Sequence, residues 1–252
     1  MNDTERLLSR LDQIGQSLSR QDTALALIGL GSVGLELDRL DRFSDLDFFV
    51  IVQAGSKPHY LQDLTWLTGI APVAYTFANT PDGYKLLYED GVFCEFAVFE
   101  EVELAQAVFA PGRIVWKASG VSEKIGLPKR HDKDRQRPST EWLLGEALTN
   151  IYVGLLRDHR GEKLSAMRFI QVHAVNHILE LSDRVETAVS APQDKFSPER
   201  RYELRYPGMA QLLPTFLQGY ERNRESALAV LSFLDEHFAV NVAMKQAILK
   251  LC

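Results

Sequence analysis

Leu25-Ala26-Leu27-Ile28-Gly29-Leu30-Gly31-Ser32 is an apolar run that ends in a glycine and a hydroxyl. Twelve residues later the chain reads Asp45-Leu46-Asp47-Phe48-Phe49-Val50-Ile51-Val52. Short apolar runs of this kind, rich in β-branched and aromatic residues, read as strands. Side chains alternate along a strand, so Asp45 and Asp47 project to one side at the mouth of the second run. Two carboxylates placed there repel each other unless a cation lies between them. Oxygen ligands suit Mg²⁺, which takes one or two carboxylates and completes its shell with water and phosphate oxygens. Gly31 permits close backbone approach, and Ser32 can cap a helix whose free N–H groups face an anion. Together these residues read as a site for a metal-bound nucleoside triphosphate.

Outward from this pair, Leu7, Leu8, Leu11, Ile14 and Leu18 recur at helical spacing and predict an amphipathic N-terminal helix. Strands are expected at 24–30, 46–53, 73–78, 84–88, 92–99 and 113–117, with Asp82-Gly83 marking a turn. Helices are expected at 33–37, 59–67 and 102–109. Within the run 92–99, Glu95 interrupts an otherwise apolar strand, and such a carboxylate requires a metal or a cationic partner. The acids Asp38, Asp41, Glu100, Glu101 and Glu103 read as solvated loop and helix-start residues.

Strands end before residues 128–138, a charged stretch without apolar periodicity that reads as a linker. Beyond it the pattern is helical: 139–159, closed by Arg160-Gly161, then 164–186, a loop at 190–196, shorter helices, and a final pair at 220–238 and 240–251. The expected class is α+β: a mixed sheet with helices over 1–137, followed by an all-helical, up-and-down bundle over 138–252. Arg160 and Lys163, at an interhelical turn, read either as contacts to a β/γ-phosphate or as solvated basic residues. His173 and His177 have a metal-ligand spacing, yet no third ligand accompanies them, so a packed pair is the better reading. Tyr202, Arg205 and Tyr206 read as a stacking platform or a loop anchor.

A chain of 252 residues can hold two domains and a substantial core. A net charge of −6 argues against broad nucleic-acid binding. No run is long and apolar enough for a signal peptide or a bilayer span, and two cysteines build no disulfide framework. A cytoplasmic protein acting on small molecules is expected, with no nucleic-acid or membrane partner. Its oligomeric state stays open, a homodimer included.

Gly31-Ser32, the spacer, and Asp41-Arg42-Phe43-Ser44-Asp45-Leu46-Asp47 resemble the nucleotidyltransferase superfamily related to DNA polymerase beta, and among its branches the lincosamide and aminoglycoside antibiotic nucleotidyltransferases. The resemblance implies a third carboxylate on a neighbouring strand, for which Glu95 stands. It implies that Asp45 and Asp47 hold Mg²⁺, that Glu95 binds a second ion or takes the acceptor's proton, and that Gly31, Ser32, Arg160 and Lys163 serve the triphosphate. It also implies two Mg²⁺ ions with the nucleotide, ATP or another triphosphate as donor, a hydroxyl-bearing small molecule as acceptor, and the helical half as the other wall of the cleft. Gly34-Leu35-Glu36-Leu37 departs from the glycine-and-basic pattern of many relatives after this serine. Two alternatives accompany this reading: an antitoxin-like adenylyltransferase that modifies a protein, and a non-catalytic nucleotide-binding module.

Overall fold

The computed structural model describes residues 2–129, 138–191 and 197–252. The chain divides into two compact units, Met1–Arg135 and Gln136–Cys252. The expected linker falls chiefly on residues 130–137, and part of the expected loop at 190–196 falls on 192–196, both outside the described residues.

The first unit opens with α1 (Asp3–Leu18), which starts at a capping box: Asn2 Oδ1 accepts from the Glu5 N–H while Glu5 accepts from that of Asn2. Leu7, Leu11, Ile14 and Leu18 are buried along one stripe. Six strands follow: β1 (Ala24–Gly29), β2 (Leu46–Val52), β3 (Val73–Thr80), β4 (Gly83–Tyr88), β5 (Phe93–Glu100) and β6 (Arg113–Lys117). They form one sheet in the order β3-β4-β5-β2-β1-β6. Within it β2 and β5 run parallel, and every other pairing is antiparallel. The architecture is the expected α+β one, a mixed sheet with helices followed by a helical region.

Alternation along the strands assigns the two faces. Leu46, Phe48, Val50, Leu86, Cys94, Phe96 and Val98 pack with α1 and Trp66 in the main core. The opposite face carries a smaller cluster of Ala26, Ile28, Ile51, Leu104, Phe109 and Ile125. Toward β3 this second cover ends, leaving Tyr75 and Phe77 exposed.

Three expected helices differ. Instead of a helix at 33–37 there are two single 3-10 turns, Gly31–Val33 and Leu37–Arg39, because Gly34, between them, takes a backbone conformation that is neither helical nor extended (φ −91°, ψ −123°). The helix expected at 59–67 breaks into α2 (Lys57–Gln62) and α3 (Thr65–Thr68) at Asp63, which is extended and accepts from the Thr65 N–H. Of 102–109 only α4 (Glu101–Leu104) is helical; Phe109 turns inward and sets its ring edge-on to Phe49 at 5.4 Å.

Among its described residues the second unit contains helices and turns but no strand. α5 (Thr140–His159) is capped by Ser139 Oγ and ends before Gly161, which has φ +78°. The expected helix at 164–186 is one helical run whose middle is wider: α6 (Lys163–Met167), a π-helical stretch (Arg168–Ala174) and α7 (Val175–Leu181). α8 (Tyr202–Arg205), α9 (Pro207–Phe216), α10 (Asn223–His237) and α11 (Val242–Leu249) complete it. Leu143, Ile151, Leu155, Ile170, Ile178, Phe216 and Leu234 lie in its core.

Candidate active site

The turn leaving β1 is built from glycines. Gly31 has φ +52°, which L side chains rarely adopt. The chain then folds back so closely that a Cβ on Gly29 would lie 2.6 Å from the Val33 carbonyl oxygen. Arg113, at the start of β6, donates from Nε (3.1 Å) and Nη2 (3.0 Å) to that same oxygen and pins the turn to the sheet. Ser32 lies within a three-residue 3-10 turn and makes no side-chain capping bond, so the expected serine-capped helix is absent. The Leu30 N–H donates to the Asp47 carbonyl at 2.8 Å, which ties the turn to the neighbouring carboxylate-bearing strand.

A second turn aims the aspartates. Asp41 Oδ1 accepts from the Phe43 N–H at 2.8 Å, and the Asp41 N–H donates to Ser44 Oγ at 3.0 Å. Asp41 is thus a turn-builder rather than a merely solvated acid. Asp45 follows, exposed, one residue before β2, and Asp47 is the second residue of the strand.

Register assembles the rest. Asp47 pairs with Glu95 across the parallel β2–β5 ladder, Glu95 with Lys85 across β5–β4, and Lys85 with Phe77 across β4–β3. Paired residues on adjacent strands face the same side, about 5 Å apart. Phe77, Lys85, Glu95 and Asp47 therefore form one row across four strands, on the face opposite the main core. Glu95 is not buried: its side chain is 42% exposed. Its Oε2 lies 3.2 Å from Lys85 Nζ, and its Oε1 accepts from Asn79 Nδ2 at 3.1 Å. Its cationic partner is a lysine two strands away from Asp47, and with the side chain this exposed no burial cost makes that partner obligatory.

The donor set suits a hard cation, with carboxylate oxygens from Asp45 and Asp47 and room for water or phosphate oxygens on the exposed side. Among the described residues, no group of three or more His, Cys, Asp or Glu comes together to hold a metal. Asp45, Asp47 and Glu95 are therefore not assembled into a three-carboxylate metal group.

The remaining candidates lie in the second unit. Lys163 forms an ion pair with Glu221 and lies 5.8 Å from the Tyr220 ring centre. Arg160 is mostly exposed, 3.8 Å from Glu162, and donates to the Leu156 carbonyl. His177 packs edge-on to Trp142 and His173 to Phe169, as rings rather than ligands. Tyr202, Arg205 and Tyr206 are buried, with the Tyr202 hydroxyl 2.5 Å from Ser182 Oγ, so this stretch is an anchor and not a platform. Lys85, Asn79 and Arg113 escape a reading of sequence alone. The signal available for Lys85 is its place two residues after the Asp82-Gly83 turn, in the strand antiparallel to that of Glu95.

Among solved structures the chain is similar to an aminoglycoside 6-adenyltransferase from Bacillus subtilis, with 14% identity over 100% of this chain and 92% of that chain and a TM-score of 0.33. No protein-family model and no curated protein matches the chain. A likeness this low carries no weight for function. The structure itself establishes the α+β architecture, a six-stranded mixed sheet with a helical region after it. Among the described residues no helix is long and apolar enough to cross a membrane.

Proposed function

We propose that this protein is a Mg²⁺-dependent nucleotidyltransferase that moves a nucleoside monophosphate from ATP or another triphosphate to a hydroxyl of a small molecule. The observation that carries the reading is the register of Asp47 against Glu95, beside the glycine turn that Leu30 ties to β2. Two like charges set side by side cost stability, and nucleotidyl transfer is a use that repays such an arrangement.

Asp45 and Asp47 would hold the nucleotide's Mg²⁺, which supplies charge neutralisation at the phosphates. The Gly31-Ser32 turn offers backbone N–H groups and one hydroxyl to the triphosphate. Glu95 accepts the proton of the acceptor hydroxyl as its oxygen bonds to the α-phosphorus. The bond from that phosphorus to the bridging oxygen breaks, and pyrophosphate leaves with its electron pair. Lys85 and Asn79 fix the direction of the Glu95 carboxylate while leaving it lone pairs for that proton. The acceptor class, hydroxyl-bearing antibiotics such as lincosamides or aminoglycosides, comes from the sequence resemblance.

The test is α-labelled ATP with Mg²⁺ and a panel of hydroxyl-bearing antibiotics, following pyrophosphate and label, with Glu95→Gln as control. Release that depends on one acceptor and is lost in the control supports the reading. Label appearing on a protein instead would transfer the acceptor role to a macromolecule. Absence of both Mg²⁺-dependent ATP binding and release would overturn the reading.

A further inference from the structure

We propose that the outer edge of β3 is the pairing edge of a homodimer, in which the β3 strands of two copies lie antiparallel about a two-fold axis at Thr76. The two six-stranded sheets then continue into each other. This pairing is independent of the chemistry proposed for Asp45, Asp47 and Glu95. A sheet has two edges, and here they are built differently. β6 is short, begins with Arg113 and ends with Lys117. The chain beyond it folds back over it: the Gly112 N–H donates to the Gly126 carbonyl at 2.8 Å, and Lys117 Nζ to the Val121 carbonyl at 3.0 Å. Charges and a covering loop are the usual guards of an edge against another chain. β3 has neither. It is outermost in the strand order, with β4 as its one ladder partner among the described residues. Residues 70–81 include no charge, and residues 74–78 are all exposed. Pro72 and Pro81 flank the strand, so every residue inside it keeps its N–H. The register shifts against β4 fall toward its ends, leaving Tyr75, Thr76, Phe77 and Ala78 in unbroken register.

The residues of this edge are complementary to themselves. Antiparallel strands that continue one sheet across a two-fold axis set opposed residues on the same face. With Thr76 on the axis, Tyr75 stands opposite Phe77 of the partner subunit, and the symmetry repeats the pair. Both rings lie on the open face of the sheet, 54% and 52% exposed in the single chain. Each aromatic cross-strand pair covers apolar surface that the single chain leaves in water. On the opposite face Thr76 meets Thr76 of the partner subunit, a pair whose hydroxyls can hydrogen-bond. A chain of net charge −6 would repel its copy over most surfaces, yet on this strand no like charges are opposed. A second copy is therefore the occupant this edge fits. Each copy uses one edge, and the guarded β6 stops growth at two. Strand addition draws its affinity from main-chain hydrogen bonds more than from area, so a reversible dimer is expected.

The experiment is sedimentation velocity of the full chain from ~1 to ~100 µM, a range that brackets the weak affinity of a small interface. The unaltered protein should pass from monomer to dimer across it. Thr76→Glu sets two carboxylates opposite each other on the axis and should weaken the dimer roughly tenfold or more. Thr76→Val, neutral and suited to a strand, should stay near the unaltered protein. Tyr75→Ser with Phe77→Ser should weaken the dimer roughly tenfold, two aromatic pairs being lost. Thermal midpoints measured at the lowest concentration check that each variant is folded. Register is read with a short bis-maleimide on a Cys252→Ser background, Cys94 being buried. Thr76→Cys should cross-link into a dimer. Thr80→Cys should not, because the pairing holds its two copies about 27 Å apart along the strands. A monomer throughout the range overturns the proposal, as does a dimer that Thr76→Glu leaves intact, which would place the contact elsewhere. Cross-linking at Thr80 but not at Thr76 overturns the pairing about Thr76, and growth past the dimer overturns the closed two-fold arrangement.

Discussion

Asp47 on β2 and Glu95 on β5 are register partners in the sheet's parallel pairing, with carboxylates on the same face and Lys85 next in the row. A parallel pair arises only when the chain leaves β2, crosses over and returns beside it. Here that crossover is α2, α3 and the β3–β4 hairpin, which also delivers Lys85 and Asn79. The segment that makes the two acids neighbours thus also supplies the groups that restrain one of them.

Glu95→Gln should lower kcat of pyrophosphate release by roughly 10²- to 10⁴-fold, the range for loss of a general base, with Mg²⁺–ATP affinity within a fewfold of normal. Asp47→Asn should lose nucleotide affinity as well as turnover. Single-turnover kinetics, nucleotide titration and calorimetry separate these effects.

The turn after β1 should depend on Arg113. Arg113→Ala leaves the carbonyl of the buried Val33 without its two charged donors, at a cost of about 1–3 kcal/mol. A lysine ammonium cannot reproduce the paired, planar donors of a guanidinium, so Arg113→Lys should recover only part of that loss. Chemical denaturation and ATP titration of both variants check this, and affinity and stability should fall together.

Gly31→Ala puts a side chain at φ +52° and should cost about 1–2 kcal/mol, with a larger loss in nucleotide affinity than at a distant surface glycine. Gly120→Ala, also at positive φ with open space around it and beyond the Lys117 end of β6 rather than the Arg113 end beside Gly29, is the control: equal effects on nucleotide binding would remove the turn from the site.

Burial holds the His177 imidazole below the usual histidine range, against the pull of Glu180 and Glu146. The folded state thus prefers the neutral ring, while the unfolded chain takes up a proton near the ordinary value of 6.5. The stability linked to this residue is present above that pH and is lost as pH falls through it toward the lowered folded value. Urea midpoints between pH 7.5 and 5 should fall more steeply for the unaltered protein than for His177→Gln.

Burial pushes the Cys94 thiol up to about 12, so it stays protonated in the native protein at mildly alkaline pH. At pH 8.5 a thiolate-directed reagent should modify Cys252 slowly, its own value also being raised by partial burial, and Cys94 only after denaturation. One native and two denatured equivalents are expected.

The strands and α1 are legible in the chain because their signals are local. The runs 24–30, 46–53 and 92–99 each lie within a residue or so of a strand, and 113–117 coincides with one. Asp45 and Asp47 mark a strand entrance in the local sequence, whereas the turn that Asp41 and Ser44 build ahead of it is not legible, because its hydrogen bonds exist only once the chain has turned. The short helices are not legible, since Gly34, Asp63 and Phe109 are decided by backbone breaks and by core contacts that no periodicity records.

The order of residues is enough to say which chemistry the chain carries: two acids at a strand mouth, a third in an apolar strand, and a glycine turn ahead of them. Which charges meet depends on the folded sheet. Folding brought residues 77, 85, 95 and 47 into one row, gave Glu95 a lysine and an asparagine, and turned Tyr202, Arg205 and Tyr206 into an anchor. Strand identity follows from the alternation of neighbouring side chains. Register is settled only when separate strands bury their apolar faces together, and a shift of one residue would send Glu95 into the core and Cys94 to the open face.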